Sequence, residues 1–205
     1  MDFSASVYRF FFPSILVRMN TDKVYLTFDD GPHPLATPVV LDILKDRKIK
    51  ATFFLIGENV RRHPELARRI GEDGHSIGNH CQHHVALLTK SRSAILDEIE
   101  SANRTIQETT GKKPQLFRPP YGYYDYRAVD AARSQGMRLV HWSIDTRDFV
   151  MNGRSARIES VIKKTMQGSI LLLHDNERTA TSAATLIPRL IDGITTAGHA
   201  FAPLP

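Results

Sequence analysis

The sequence predicts an α/β protein whose fold is a distorted (β/α) barrel with about seven parallel strands. Short apolar segments alternate about seven times with helical patterns, which is typical of repeated βα units. Several segments are apolar almost throughout, as expected for strands covered on both faces. The chain has 205 residues, whereas a closed eightfold barrel needs roughly 250. We therefore expect an incomplete or distorted barrel in one domain.

The predicted strands are short and mostly apolar. They cover residues 23–28, 51–56, 75–79, 115–118, 138–144, 169–174 and 199–203. Helical patterns occupy the intervals at 38–47, 64–72, 93–109, 126–135, 155–166 and 183–197. Thr37 is the expected N-cap of the first helix. The third helix is the clearest, because apolar residues recur along one face from Ile95 to Ile106 and Gly111 follows its end.

The composition excludes several classes of protein. Hydrophobic residues make up 41% and charged residues 24% of the chain, which excludes a collagen, a coiled coil and wholesale disorder. The net charge of +5 is spread over pairs such as Arg61-Arg62 and Lys163-Lys164. This spread favours a solvated surface over a nucleic-acid site, although an acidic polymer would also suit it. The single cysteine, Cys81, excludes an intrachain disulfide.

Residues 1–22 are expected to form an N-terminal arm before a main domain at 23–205. The apolar part of the arm is short, and Arg9 and Pro13 interrupt it. It therefore matches neither a membrane-spanning helix nor a signal peptide, and no transmembrane segment is expected. Packing of the arm against the domain is the favoured interpretation. Localisation and oligomeric state stay open.

Titratable side chains follow five of the predicted strands. They are Asp29 and Asp30, His80 and His84, Arg118, Asp145 and Asp148, and His174 and Asp175. Each has an ordinary structural explanation when taken alone, since Asp-Asp-Gly-Pro is typical of a tight turn and a strand-end arginine commonly forms a surface ion pair. The carboxyl ends of parallel strands, however, meet at one rim. Their convergence therefore predicts a chemical site.

Five motifs occur in a characteristic order. They are TFDDGP at 27–32, NHCQHH at 79–84, RPPYG at 118–122, an Asp-x-x-Asp pattern at 145–148 and LLLH at 171–174. In this order, and with ATFFLIGENV and GHSIGNH between them, they resemble the polysaccharide deacetylases, which contain the NodB-homology domain and form carbohydrate esterase family four. The resemblance runs from about Lys23 to the C-terminus. It implies a catalytic domain at 23–205 with a distorted (β/α) barrel of seven or eight strands, which agrees with the strand pattern.

The resemblance implies a metal centre next to a catalytic base. By position, Asp30, His80 and His84 are the metal ligands, a set that suits zinc and also cobalt or nickel and leaves a coordination position open. Asp29 is the implied catalytic base. Arg118 is the implied residue that holds this base ionised and oriented.

The same resemblance assigns the acid and the substrate pocket. His174 is the implied general acid, and Asp148 is the carboxylate that favours its protonated form. The main-chain N–H of Tyr121 is the implied oxyanion donor.

The resemblance also assigns residues to the acetyl pocket. They are Phe149 and either Leu173 or Leu171. For the leucines, plain core packing is an equally good explanation.

Two positions depart from the usual pattern of the family. Cys81 follows His80, where Ser or Thr is usual, and Phe149 stands where Trp is usual. A buried, inert thiol is favoured over a fourth metal ligand at Cys81. The smaller Phe149 ring is expected to change the shape of the pocket more than its chemistry.

The predicted function is that of a metal-dependent hydrolase that removes N-acetyl groups from a glycan containing N-acetylglucosamine, such as peptidoglycan or a chitin-like oligosaccharide. Amide hydrolysis needs an activated water, stabilisation of the oxyanion and a proton for the departing nitrogen, and the assigned groups supply all three. Alternatives are a deacylase of a polyamine or a lipid-linked amino sugar, and a glycan-binding domain without catalysis. No nucleic-acid partner is expected. The family suggests the cell envelope or secretion.

Overall fold

A curled, parallel seven-stranded sheet forms the centre of the computed structural model, which describes residues 15–150 and 155–205. The strands are β1 (Lys23–Asp29), β2 (Thr52–Leu55), β3 (Ser76–Asn79), β4 (Leu116–Phe117), β5 (Arg138–Leu139), β6 (Ile144–Asp145) and β7 (Ile170–His174). Their order is β5-β4-β3-β2-β1-β7-β6, and β8 (Ala200–Phe201) pairs with the start of β1. The predicted distorted barrel with about seven parallel strands is confirmed.

Helices connect the strands and pack against the sheet. In the described part of the chain they are α1 (Ala36–Asp46), α2 (Gly57–Arg62), α3 (Pro64–Glu72), α4 (Arg92–Thr110), α5 (Tyr126–Ser134), α6 (Ser155–Lys164) and α7 (Ala183–Thr196). The hydroxyl of Ser91 accepts a hydrogen bond from the main-chain N–H of Ala94 and caps α4. Gly111 ends α4 in the left-handed conformation, at φ 71°. The six-residue α2 has no counterpart among the predicted helices because it is too short to show a helical period.

The predicted strand at 138–144 is two strands. β5 pairs with β4 at one end of the sheet, and β6 pairs with β7 at the other. The residues between them therefore pass from one edge of the sheet to the other, and no single ladder can run through them. Leu16 forms a parallel bridge with Val140 in this gap, and Arg18 forms an antiparallel bridge with Ser169.

The described part of the N-terminal segment pairs with the chain between β5 and β6. Ile15 and Val17 are buried, and the N–H of Leu16 donates to the carbonyl of Leu139. Residues 1–14 of the predicted arm lie outside the described residues. The division into an arm at 1–22 and a domain at 23–205 therefore stays a prediction.

Strand alternation divides the side chains of β1 and β7 between two environments. Even-numbered residues of β1, from Val24 to Phe28, pack in the core between sheet and helices, together with Leu171 and Leu173. Of the odd-numbered residues, Tyr25 belongs to a separate core cluster, Thr27 accepts a hydrogen bond from Arg118, and Asp29 lines the cleft. The catalytic candidates at the ends of β1 and β7 therefore share one face.

Thr37 is not the N-cap of the first helix, because α1 begins at Ala36. Its hydroxyl accepts a hydrogen bond from the N–H of His33 and donates one to Oδ2 of Asp175. Among the described residues, no helix combines the length and the apolar composition required to cross a bilayer.

Candidate active site

A cleft of about 480 Å³ opens at the carboxyl ends of the strands. Its polar lining comes from the ends of β1, β3, β6 and β7 and from the loops that follow β1, β3, β4 and β7. The lining residues are Asp29, Asp30, His80, His84, Tyr121, Gly122, Tyr123, Trp142, Asp145, Phe149, Leu172, His174, Asn176 and Arg178. The structure thus brings together side chains from positions 29 to 178 of the sequence.

Asp30, His80 and His84 form a three-residue cluster with metal-ligand geometry. Oδ1 of Asp30 lies 3.3 Å from Nε2 of His84 and 3.5 Å from Nε2 of His80. One donor atom from each residue lies within 4.8 Å of the other two. Two ligands that sit 2.0–2.1 Å from one ion in tetrahedral directions are about 3.3 Å apart. The residues therefore fit a divalent ion.

The hydrogen bonds and charges of the cluster favour the ligating forms of these side chains. Nδ1 of His80 lies 2.7 Å from the carbonyl oxygen of Arg118, so Nδ1 carries the proton and Nε2 presents its lone pair towards Asp30. Burial, followed by the neighbouring His80, lowers the pKa of His84 and favours the neutral imidazole. Burial alone would raise the pKa of Asp30, but His80 and the other histidines of the cleft lower it whenever they are protonated, so Asp30 stays a carboxylate.

Asp29 and Arg118 form a buried ion pair beside the cluster. Nη1 of Arg118 donates to Oδ1 of Asp29 at 2.7 Å and to the hydroxyl of Thr27 at 2.7 Å. Arg118 is fully buried, its remaining guanidinium nitrogens reach the carbonyls of Val140 and His141, and its Cζ lies 4.2 Å from the centroid of the Phe54 ring. The other Asp29 oxygen, Oδ2, lies 4.0 Å from Nε2 of His80. One oxygen of Asp29 is thus fixed and the other is directed towards the cluster.

His174 and Asp148 form the second charged pair of the cleft. Nδ1 of His174 lies 2.8 Å from Oδ1 of Asp148, and the main-chain N–H of His174 donates to Oδ2 at 2.7 Å. Burial opposes the charged imidazole, but the hydrogen bond and the negative charge of Asp148, with Asp29 and Asp30, raise the pKa of His174 to about 9. The imidazolium is therefore the form present at neutral pH, with Nε2 left to donate a proton.

Tyr121 and Phe149 both line the cleft, as the sequence predicts. Tyr121 has a left-handed backbone, with φ 61° and ψ 1°, and its ring contacts the ring of His84 at a centroid distance of 4.4 Å. Phe149 is 39% exposed and meets His174 edge to face, with centroids 5.6 Å apart. Asp145, for which the sequence indicates no catalytic role, lines the cleft and accepts from the N–H of Arg147.

The prediction that Leu173 lines the acetyl pocket is wrong, because its side chain does not reach the cleft. Leu173 is buried in the core between the sheet and the helices, and Leu171 lies there too. Leu172 lines the cleft instead. The reason is that successive side chains of a strand point to opposite faces. Leu172 and His174 of β7 therefore share one face, and Leu171 and Leu173 share the other.

Cys81 is fully buried in a core cluster that includes Ile95, Ile99 and Phe117. Burial raises the pKa of its thiol, which keeps the sulfur protonated. Among the described residues, the group that could hold a metal consists of Asp30, His80 and His84, without Cys81. This environment agrees with the inert thiol that the sequence predicts.

Besides Gly122 and Leu172, which lie inside recognised motifs, four cleft residues were not singled out from the sequence: Tyr123, Trp142, Asn176 and Arg178. Tyr123 follows RPPYG and is 60% exposed, and Trp142 stacks on His141 with centroids 3.9 Å apart. Asn176 and Arg178 follow the LLLHD segment directly. Their closeness to recognised motifs was the available signal, but a short polar segment alone does not show which side chains turn inward.

This fold and this site are those of a distorted (β/α)-barrel metallohydrolase. Residues 17–140 match the family model described as polysaccharide deacetylase. The chain belongs to that family, which is metal-dependent.

Individual relatives cover nearly the whole chain. The chitooligosaccharide deacetylase of Bradyrhizobium sp. (strain ANU 289) is 36% identical over 95% of this chain and 97% of the relative. A crystal structure of a peptidoglycan N-acetylglucosamine deacetylase in complex with 4-naphthalen-1-yl-N-oxidanyl-benzamide superposes with a TM-score of 0.88, at 31% identity over 94% of this chain and 91% of that one. A pseudoenzyme of the same esterase family from Bacillus anthracis has a TM-score of 0.85, at 28% identity over 94% of this chain and 68% of that one.

Proposed function

We propose that this chain is a catalytically competent deacetylase that hydrolyses the N-acetyl group of N-acetylglucosamine units in a glycan, either peptidoglycan or a chitin-like oligosaccharide. The observation that carries the proposal is that two charged pairs of side chains flank the cluster of Asp30, His80 and His84. Asp29, which is paired with buried Arg118, and His174, which is paired with buried Asp148, both line the cleft that contains the cluster. The relatives named above act on chitooligosaccharide and on peptidoglycan N-acetylglucosamine.

Asp30, His80 and His84 are the residues that would hold the cation, for which we propose zinc, with cobalt or nickel as substitutes. One carboxylate and two imidazoles suit these ions, and the spacing of the donor atoms supports the assignment. A divalent ion held there supplies Lewis-acid polarisation of the amide carbonyl and a lower pKa for water. Metal analysis of the protein as isolated tests the identity of the ion.

Asp29 is the proposed base. Water adds its oxygen to the acetyl carbonyl carbon, and Asp29 takes the proton that this oxygen loses. Arg118 donates a charge-assisted hydrogen bond to Oδ1 of Asp29, so that Oδ2 is the oxygen free to accept the proton. The main-chain N–H of Tyr121 is the proposed donor to the developing oxyanion.

His174 is the proposed acid. When the C–N bond breaks, the electron pair remains on the sugar nitrogen, which takes a proton from Nε2 of His174 and leaves as an amine. Asp148 holds Nδ1 and stabilises the imidazolium before the transfer. Acetate is the second product, with one oxygen from water.

Mass spectrometry of short N-acetylglucosamine oligomers incubated with the metal-loaded protein tests the reaction. We expect the products to show an acetyl group replaced by hydrogen, with release of an equal amount of acetate. The Asp29→Ala variant, which retains the metal ligands, is the matched control. A panel that includes a peptidoglycan fragment, an acetylated polyamine and a lipid-linked amino sugar separates the glycan from the alternative substrates.

A non-catalytic glycan-binding function is the second candidate, because one structural relative is a pseudoenzyme. The complete set of acid, base and ligand side chains in this cleft argues against it. Binding of the oligomers with no acetate release in the presence of zinc, cobalt or nickel would support it.

A further inference from the structure

Asp30 has an unusual backbone conformation for a residue with a side chain. Its φ is 78°, in the left-handed region that such residues rarely adopt. The conformation turns the chain away from β1 directly after Asp29. Neighbouring structure must hold Asp30 in this conformation, because the isolated backbone does not favour it.

Two asparagine side chains bind Asp30 from different parts of the fold. Nδ2 of Asn59, in α2, donates to the main-chain carbonyl of Asp30 at 2.8 Å. Nδ2 of Asn176, in the loop between β7 and α7, donates to Oδ2 of the Asp30 carboxylate at 2.7 Å. One amide therefore fixes the backbone of this residue, and the other fixes its side chain.

The contact with Asn176 distinguishes the two oxygens of the carboxylate. Oδ2 accepts the amide hydrogen bond, whereas Oδ1 is the oxygen that lies 3.3 and 3.5 Å from the two histidine Nε2 atoms. Asp30 thus presents one oxygen to the cluster and has its second oxygen engaged elsewhere. A carboxylate held in this way is suited to act as a ligand through a single oxygen.

The orientation of the Asn176 amide follows from its other contacts. Its Oδ1 accepts from the main-chain N–H of Arg178 at 2.9 Å, so its NH2 group must be the end directed at Asp30. The N–H of Asn176 donates to Oγ1 of Thr179, which is buried and itself donates to the carbonyl of His174. The loop that carries the proposed acid therefore also carries the group that orients Asp30.

We infer that Asn59 and Asn176 are positioning residues of the metal centre, which hold Asp30 as a one-oxygen ligand. This inference rests on the metal centre of the proposed function and is independent of the substrate. Hydrogen-bond partners of ligating carboxylates and histidines fix ligand geometry, and their loss typically weakens metal binding by about 10- to 100-fold. Both asparagines act through Asp30, so the role assigned to them is positioning and not catalysis.

Metal affinity measured by competition with a chromophoric chelator tests the inference without substrate. Asn176→Leu removes the donor and keeps most of the side-chain volume, and Asn176→Ala removes both. We expect zinc to bind each variant about 10- to 100-fold more weakly than the wild type. Glu177→Ala, at the exposed neighbouring position, is the matched control and is expected to bind like the wild type.

A cobalt-loaded sample supplies a second measurement. When the hold on Oδ2 is lost, Asp30 becomes free to use both oxygens, so the coordination number rises and the visible absorption per cobalt ion falls. The unfolding midpoint of the metal-free protein is expected to change little in Asn176→Leu, since one partly exposed hydrogen bond is lost. The zinc affinity of Asn59→Ala is measured at a temperature below the unfolding midpoint of that variant. We expect this substitution to weaken zinc binding as well.

An affinity for zinc within twofold of the wild type in both Asn176 variants would overturn the role of Asn176. The same result for Asn59→Ala would overturn the role of Asn59. These outcomes leave the proposed hydrolysis untouched. A different result would separate the two proposals. If the wild type binds zinc tightly but releases no acetate, and the variants bind zinc more weakly, the proposed function is refuted and the inference stands.

Discussion

His174 and Arg118 show at the residue scale how burial and a single partner set the chemistry of a side chain. Both are ionisable groups removed from water, which disfavours their charged forms. Asp148 reverses this effect for His174, and Asp29 compensates the charge of Arg118. The chemistry of each group therefore depends on a partner that is distant in the sequence.

Asp148→Asn is expected to move the basic limb of the kcat–pH profile to lower pH. In the proposed mechanism protonated His174 is the active form, so activity is expected to fall as the pH rises through its pKa, and Asp148 is the main group that raises that pKa. The measurement is kcat between neutral and alkaline pH, with zinc content held equal. An unchanged basic limb would show that another group is the acid.

Arg118→Ala is expected to lower the free energy of unfolding by about 3–5 kcal/mol, because it leaves Asp29 buried without its partner. Denaturant unfolding of the metal-free protein measures this loss. The double variant Asp29→Ala, Arg118→Ala should recover part of it, since no uncompensated charge then remains. A double variant with the full sum of the two single losses would contradict the coupling.

Arg178 is expected to favour glycans that carry a carboxylate near the acetamido group. It lines the cleft, is exposed, and forms no hydrogen bond or ion pair through its guanidinium within the described ranges 15–150 and 155–205. Arg178→Ala should raise KM for an acidic peptidoglycan fragment about two- to fivefold, the effect of one exposed ion pair. Added salt should reduce the difference. An equal rise in KM for neutral chitooligosaccharides would argue against charge recognition.

At the scale of single elements, strand alternation decides which side chains reach the cleft. β7 alternates between the two faces of the sheet, and its cleft-facing residues include Leu172 and His174. The neighbouring leucines belong to the core under α7 and α1. The three consecutive leucines therefore have two roles, since Leu172 lines the cleft and the leucines on either side of it pack in the core.

Leu172→Ala and Leu173→Ala are expected to differ in kind. Leu173→Ala creates a core cavity and should cost about 2–5 kcal/mol of unfolding free energy with an unchanged KM. Leu172→Ala should raise KM, because Leu172 contributes to the wall of the cleft. The test compares KM and denaturant unfolding for both variants. A larger change in KM for Leu173→Ala would contradict the assignment of faces.

For the whole molecule, a cation held by Asp30, His80 and His84 would link distant parts of the fold. Asp30 follows β1, whereas His80 and His84 follow β3, with β2 between the two strands. A ligand that binds only the folded state stabilises it through its binding free energy. Metal binding should therefore be visible in global stability.

Removal of the cation by a chelator should abolish acetate release and lower the unfolding midpoint. At an ion concentration of 100 times Kd, the expected stabilisation is about 2.7 kcal/mol. Calorimetry with and without added zinc measures it, and His84→Ala serves as the control that should not respond. The same zinc-dependent shift in His84→Ala would place the binding elsewhere.

The sequence by itself determined the class of fold and most of the site. Apolar strands alternating with helices require a parallel sheet, and strand ends in such a sheet share one rim, so Asp29, His80, Arg118 and His174 could be grouped from their positions in the chain. Local patterns suffice for this, because hydrophobic period and motif order are properties of the chain.

Only the tertiary structure decided which face each side chain occupies and what it contacts. The assignment of Leu172 rather than Leu173 to the cleft depends on the orientation of β7, and the division of 138–144 into two strands depends on the two edges of the sheet. The hold of Asn59 and Asn176 on Asp30 joins positions 29 and 146 residues apart. Such contacts arise from packing between elements, and local periodicity carries no record of them.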